Sequence, residues 1–250
     1  MGKSSINSHI QMPKFLLKRF EDEEKRFFCY DIKDQSIRTS NAESINTGIG
    51  YFSEAVEKIL NQSIEQPFSS LLRYIDTINF DANSFVIKRG FVRKTKSFLY
   101  ALLARNPIVY EKIRKISIYT QFLDQQSQHD ISVITAIKEA EKLAILDEYY
   151  PTFTVNKSNT PLVLPLCGFY WMNKCINLPI DPKHAITMVN KEKLEEIIDK
   201  DTIHMYLVTK ESEADRLNYF AYQEQRRQGY GNIISSKEKP IRNMLLPRPI

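Results

Sequence analysis

The sequence predicts an α+β fold, and three observations carry that prediction. Apolar residues recur at helical spacing through much of residues 53–147, and from residue 151 the texture changes to β-branched and aromatic residues punctuated by prolines. No internal repeat or low-complexity linker separates the two regions. The expected architecture is an N-terminal β-hairpin and a helical layer packed on a C-terminal strand-rich unit that ends in helices. It is read as one domain over 1–250, with 1–148 (hairpin plus helical) and 149–250 (strand-rich plus C-terminal helices) as its lobes. At 250 residues, 42% hydrophobic and 26% charged, the chain is long enough to bury a large core.

Pro13 opens a short apolar element over 14–20, and 21–25 form a charged surface turn. Two strand-like runs, 26–32 and 36–40, flank the polar break Lys33-Asp34-Gln35, which is a hairpin pattern. A loop containing Gly48 and Gly50 follows. Ser53 is placed to cap a helix, with Glu54 in the first turn and Ala55, Val56, Ile59 and Leu60 at helical spacing. Pro67 predicts a kink or restart, after which Phe68, Leu71, Leu72 and Ile75 continue the pattern. Phe91, Phe98, Leu99, Leu102 and Leu103 define the apolar face of a further helix that Pro107 ends, and helices are also expected at about 109–123 and 131–147. The stretch from Pro151 to Val189 predicts three or four strands, followed by helices near 192–199 and 212–228, the latter stopped by Gly229.

Met1 to Ser8 holds no apolar stretch, and Ile6 stands where an acylation signal needs Ser or Thr, so the expectation is a cytoplasmic protein without a membrane partner. The longest uncharged window, Ser158–Asn173, is shorter than a membrane span and is interrupted by Pro161 and Pro165. It reads as buried strands. Cys29, Cys167 and Cys175 lack the paired short spacing of zinc sites and read as core thiols. His9, His129, His184 and His204 form no local ligand cluster, so no metal site is assigned and any cofactor stays unknown.

Net charge is +5, and it is concentrated. Nine basic residues against one acid between Lys88 and Lys115 give that segment +8 and leave −3 for the remainder. Arg89, Arg93 and Lys96, at i, i+4 and i+7, line the helix face opposite Phe91 and Phe98. Such a stripe neutralises phosphates or is simply a solvated face. Because the two phenylalanines point the other way, the aromatic interleaving of a single-strand stacking platform is missing.

"PKFLLKRF" (Pro13–Phe20) and the hairpin after it, then Phe52, Glu57, Leu60 and Ile64-Glu65, resemble the uncharacterised bacterial family numbered 4238 among the domains of unknown function. Its members typically open with His-Tyr-x-Pro-x-Phe-x-Leu-Arg-x-Phe. "SNTP" (Ser158–Pro161) stands where that family has Ser-Asp-Asn-Pro, "LPIDPKHAI" (Leu178–Ile186) resembles its Pro-Leu-Ser-Pro segment, and "RLNYFAYQEQ" with Asn218 resembles its closing Asn-bearing helix. Two departures stand out. His9 precedes Pro13 by four residues where the family pattern has three, and Asn159 replaces the acid, an amide that is no general base. The resemblance implies a protein of bacterial and prophage defence neighbourhoods, some of whose members protect against phage.

His9 is the candidate acid/base, oriented by Glu57 or Glu65 in the manner of metal-independent phosphodiester cleavage. The alternative is a histidine tying the N-terminus to the core. On an unbroken helix Glu57 and Glu65 would be about 80° and about 12 Å apart, too far to share an ion, so one could pair with His9 or Arg73 while the other is solvated. Ser158 and Asn159 have turn chemistry, and both are offered with Asn218 as substrate-binding residues, the two amides for a substrate oxygen or base edge.

The absence of a P-loop, GxGxxG, an HNH cluster and a strand-borne Asp…Glu-x-Lys disfavours the familiar nucleases and nucleotide hydrolases. The leading expectation is a phage-defence effector acting on RNA or DNA, a nuclease or phosphodiesterase, with Arg89, Arg93 and Lys96 as its docking surface. The rival is a non-catalytic module that recognises a phage or host protein, and a third reading is a toxin attacking a nucleotide or translation factor.

Overall fold

The computed structural model describes residues 7–45, 47–49, 51–78, 80, 84–86, 90–106, 123–142, 146–190, 192, 202–229 and 231–246. In chain order the first elements are β1 (Asn7–His9), α1 (Lys14–Leu17), β2 (Phe27–Asp31), β3 (Ser36–Ser40), β4 (Thr47–Ile49), α2 (Glu54–Leu60), α3 (Gln66–Ile75), β5 (Ser84–Val86), α4 (Phe91–Ala104) and α5 (Gln125–Lys142). They are followed by β6 (Tyr149–Asn156), β7 (Leu164–Pro165), β8 (Tyr170–Met172), β9 (Cys175–Asp181), β10 (His184–Asn190), β11 (Thr202–Val208), α6 (Glu211–Gln228), β12 (Asn232–Ser235) and α7 (Glu238–Leu245). The fold is α+β, with the hairpin, the strand-rich C-terminal region and the terminal helices in the expected order. The chain divides into two compact units, one from Met1–Pro13, Ile45–Thr77 and Gly90–Asp147, the other from Lys14–Ser44, Ile78–Arg89 and Glu148–Ile250.

In the first unit β1 pairs antiparallel with β4, so Gly48 lies in a strand where a loop was expected. A Cβ there would sit 3.1 Å from Ile10 Cδ1, a close approach that glycine permits. Ser53 caps α2 as predicted, its Oγ accepting the Val56 N–H at 3.3 Å. The buried face is Val56, Leu60 and Ile64, while Ala55 and Ile59 are exposed. Between α2 and α3, Asn61–Glu65 forms a π turn. Pro67 supplies no N–H and its ring crowds the carbonyl four residues back, so the widened turn lets the helix pass through it. Phe68 of α3 stacks on Phe98 of α4 at 3.9 Å, and α4 packs on α5. The last of these helices starts six residues earlier than predicted because Asp124 accepts the Ser127 N–H and Oγ–H, both at 2.9 Å. The helices expected near 109–123 and 192–199 fall almost entirely outside the described residues, as do Leu143 and Ile145.

The second unit holds two sheets, ordered β5-β11-β6-β10-β9-β8 and β3-β2-β12-β7. Asp31 Oδ1 accepts the N–H groups of Lys33 and Asp34 and closes the predicted hairpin, which β12 extends through the register Asn232↔Asp31 to Ser235↔Phe28. Residues 149–190 yield five strands, one more than the upper expectation, because the turn after Pro165 separates two short ones. Ser158–Asn173 is largely buried, as predicted, but most of it is irregular backbone and not strand. On the larger sheet Phe153, Ile176, Leu178, Ile186 and Met188 bury one face, with Phe80 stacked on Phe153. The smaller sheet and α6 and α7 enclose Tyr30, Val163, Tyr170, Ala221, Ile233, Ile241 and Met244. No described helix is long and apolar enough to cross a membrane.

Candidate functional site

Of the nine residues singled out from sequence, Glu57, Glu65, Arg93 and Lys96 lie in the first unit and Ser158, Asn159 and Asn218 in the second. The backbone of His9 pairs with Thr47, but its side chain lies outside what the structure describes, and Arg89 is also outside the described residues.

In the first unit the π turn and the start of α3 face α4 across a cleft of about 590 Å³. Ser63, Gln66 and Ser70 line it from one side, Arg93 and Lys94 from the other, and Glu141 contributes the acid. Hydroxyls and amides beside two cations make a surface that hydrogen-bonds and neutralises phosphate oxygens. The cationic edge is shifted from the predicted stripe. Lys96 is half-buried and paired with Asp147 at 3.1 Å, whereas Lys94, which helical periodicity did not single out, lines the cleft.

The two glutamates have different fates. Glu65 forms an ion pair with the buried guanidinium of Arg105, while Arg73 donates to Ser70 Oγ at 3.0 Å. Glu57 Oε1 is buried with no hydrogen-bond partner. Arg105 belongs to the basic segment of the sequence, yet its charge is spent inside the unit and not on its surface.

In the second unit Asn156 organises the turn that follows β6. Its Oδ1 accepts the Ser158 N–H at 3.1 Å and Oγ–H at 2.7 Å, and its Nδ2 donates to Thr160 O at 2.7 Å. Asn159 is exposed. Asn218 faces the core, not the polar side of α6. At 2% exposure it accepts from Val163 N–H and donates to Pro161 O, both at 2.9 Å, so its amide holds main chain on either side of Leu162.

A cluster that sequence reasoning missed surrounds the β9–β10 turn. Asp181 accepts the N–H groups of Lys183 at 2.7 Å and His184 at 2.9 Å, and its carboxylate lies 2.9 Å from His184 Nδ1. Arg19 reaches it across 162 positions of sequence, donating from one guanidinium nitrogen to Asp181 Oδ2 and from Nε to Ile180 O, each at 2.9 Å. Burial pushes the Asp181 carboxyl up, but the hydrogen bond and charge of His184, the Lys183 N–H and the Arg19 guanidinium outweigh it and hold the group below its usual range. An imidazole gripped by a carboxylate at Nδ1 exchanges protons through Nε2, the chemistry sought at His9. The signal in the sequence was Asp-x-x-His spanning a two-residue turn, but Arg19 is too distant to have been associated with it. Among the described residues no group of three or more histidine, cysteine or acidic side chains is arranged to hold a metal ion.

Residues 11–132 match the model of a family described as a protein of unknown function, DUF4238, the family whose opening motifs the chain resembles. The motif resemblances at 158–161, 178–186 and around Asn218 lie beyond that stretch. No curated protein and no solved structure matches the chain.

Proposed function

We propose that the protein acts on nucleic acid, docking phosphates in the cleft between the π turn and α4. The observation that carries this reading is the pairing of Arg93 and Lys94 with serine and glutamine side chains in one concavity. The family resemblance supports placing that activity in bacterial antiviral defence, in the cytoplasm. In this reading His9 is the acid/base and Glu57, whose Oε1 is buried without a hydrogen-bond partner, is its orienter. Glu65 is disfavoured for that role because Arg105 already neutralises it. Ser158 and Asn159 lie in the other unit and form no part of this reading.

The test is fluorescence-anisotropy binding of tRNA and of single- and double-stranded DNA, with a cleavage assay on the same substrates with and without divalent metal. Arg93→Glu and Lys94→Glu should each weaken binding at least tenfold in low salt and flatten the salt dependence. Affinity unchanged in the double variant would reject the cleft as a nucleic-acid site. The ion pair on Glu65 favours a second reading, a non-catalytic module that recognises a phage or host protein. Neither binding nor turnover of any of these nucleic acids by the wild type would favour it.

A further inference from the structure

One face of the six-stranded sheet departs from what a helix-covered sheet normally carries. Alternation along β6 puts Thr152 and Thr154 on that face, and the registers Thr187↔Thr152, Asn177↔Thr187 and Tyr206↔Thr154 set a polar row across β9, β10, β6 and β11. The row is internally bonded. Thr154 and Thr187 hydroxyls lie 2.9 Å apart, and Thr187 Oγ1 donates to Asn177 Oδ1 at 2.8 Å. It ends on an unmet donor, since Asn177 is 2% exposed and its Nδ2 has no hydrogen-bond partner.

This amide borders a cavity of about 390 Å³ between the sheet face and α6, within the usual range for small-ligand sites. Met172, Val189 and Leu217 give it apolar walls, and Arg216 adds a guanidinium. Glu213, the acid in the lining, already accepts the N–H groups of Thr209 and Lys210 as part of the α6 cap. A buried N–H pair without an acceptor costs stability that a ligand oxygen restores, and the guanidinium selects negative charge.

The geometry points to a binding site for a small carboxylate: an oxygen acceptor for Asn177, one negative charge for Arg216 and an apolar body for the walls. A single cation and a planar amide suit a carboxylate. A phosphate monoester, with about two charges, would call for further cations or a run of backbone N–H groups, which the described residues of this cavity do not offer. The inference is independent of the nucleic-acid reading, which concerns the other unit.

Isothermal titration calorimetry and saturation-transfer NMR on the full chain with hexanoate, 3-phenylpropionate and indole-3-acetate test it, with 3-phenylpropanol as the neutral control. At least one acid should bind saturably and at least tenfold more tightly than the alcohol. Arg216→Glu, an exposed position, and Asn177→Asp should each weaken that binding tenfold or more, with unchanged circular dichroism. Should Asn177→Asp fail to fold, Val189→Trp, which fills the cavity, should abolish binding in its place. No saturable binding of any of the three acids, equal affinity for the alcohol, or indifference to Arg216→Glu overturns the proposal.

Discussion

Asn218 Oδ1 accepts the backbone N–H of Val163 at 2.9 Å across 55 positions of sequence, while the other end of the same amide donates to Pro161 O. Seven residues later on the same face of α6, the fully buried Gln225 accepts the Cys167 N–H at 3.0 Å. Two buried amides thus satisfy a stretch of irregular backbone that has no solvent to turn to. Asn218→Ala leaves a donor and an acceptor stranded and should cost about 2–4 kcal/mol in urea denaturation. Asn218→Asp keeps the acceptor for Val163 N–H but buries a carboxylate against the Pro161 carbonyl oxygen, so at pH 7 a loss at least as large is expected. A loss below about 1 kcal/mol for the alanine variant would show that the loop finds other partners.

Asp181 makes stability depend on acid. Its carboxyl titrates lower when folded than when unfolded, so its contribution is fully present above the unfolded pKa and disappears as pH falls through the folded one. Asp181→Asn should destabilise by about 2 kcal/mol at pH 7 and by progressively less below pH 4, where wild type loses the same charge. Parallel Tm curves for wild type and variant from pH 7 to pH 3 would refute this linkage. His184→Ala should remove part of the same pH-dependent increment, since the imidazole is among the groups that lower Asp181.

The Glu65–Arg105 pair behaves differently because little water reaches it; the Arg105 side chain is 3% exposed. Arg105→Ala leaves a carboxylate without its counter-charge and should cost about 3 kcal/mol, more than Glu65→Gln, which retains an acceptor for the guanidinium. Replacing both with Met and Leu should cost less than Arg105→Ala alone. Chemical denaturation of the three variants checks the order.

Thiol chemistry separates the three cysteines. Burial pushes the Cys29 thiol up to about 11 and the Cys167 thiol up to about 12, so neither forms appreciable thiolate at pH 8, whereas Cys175 is only half-buried. Ellman's reagent should modify Cys175 rapidly in the native protein and all three after unfolding in guanidinium. Fast native modification of Cys175→Ser would contradict this assignment.

The hairpin at 27–40, the Ser53 cap, the Pro67 perturbation and the Gly229 stop were legible because each rests on chemistry within a few residues: a turn, a cap, a missing N–H, a left-handed φ of 74°. The strand at Gly48 and the early start of α5 were less so, since one needs a partner 40 residues away and the other a cap outside the apolar pattern. The candidate sites were the least legible. Arg105 sits among basic residues in the sequence but pairs with Glu65 inside its unit, and Asn218, offered as a substrate contact, bonds main chain on either side of Leu162.

By itself the sequence determined the α+β class, the order of helical and strand-forming segments and the concentration of basic charge, all set by local periodicity and composition. Tertiary structure alone decided which polar groups meet. Arg19 reaches Asp181, Asn218 reaches Val163, and Asn177 is left with an unpaired donor, because hydrogen bonds between distant residues depend on the strand register and helix packing that bring them together.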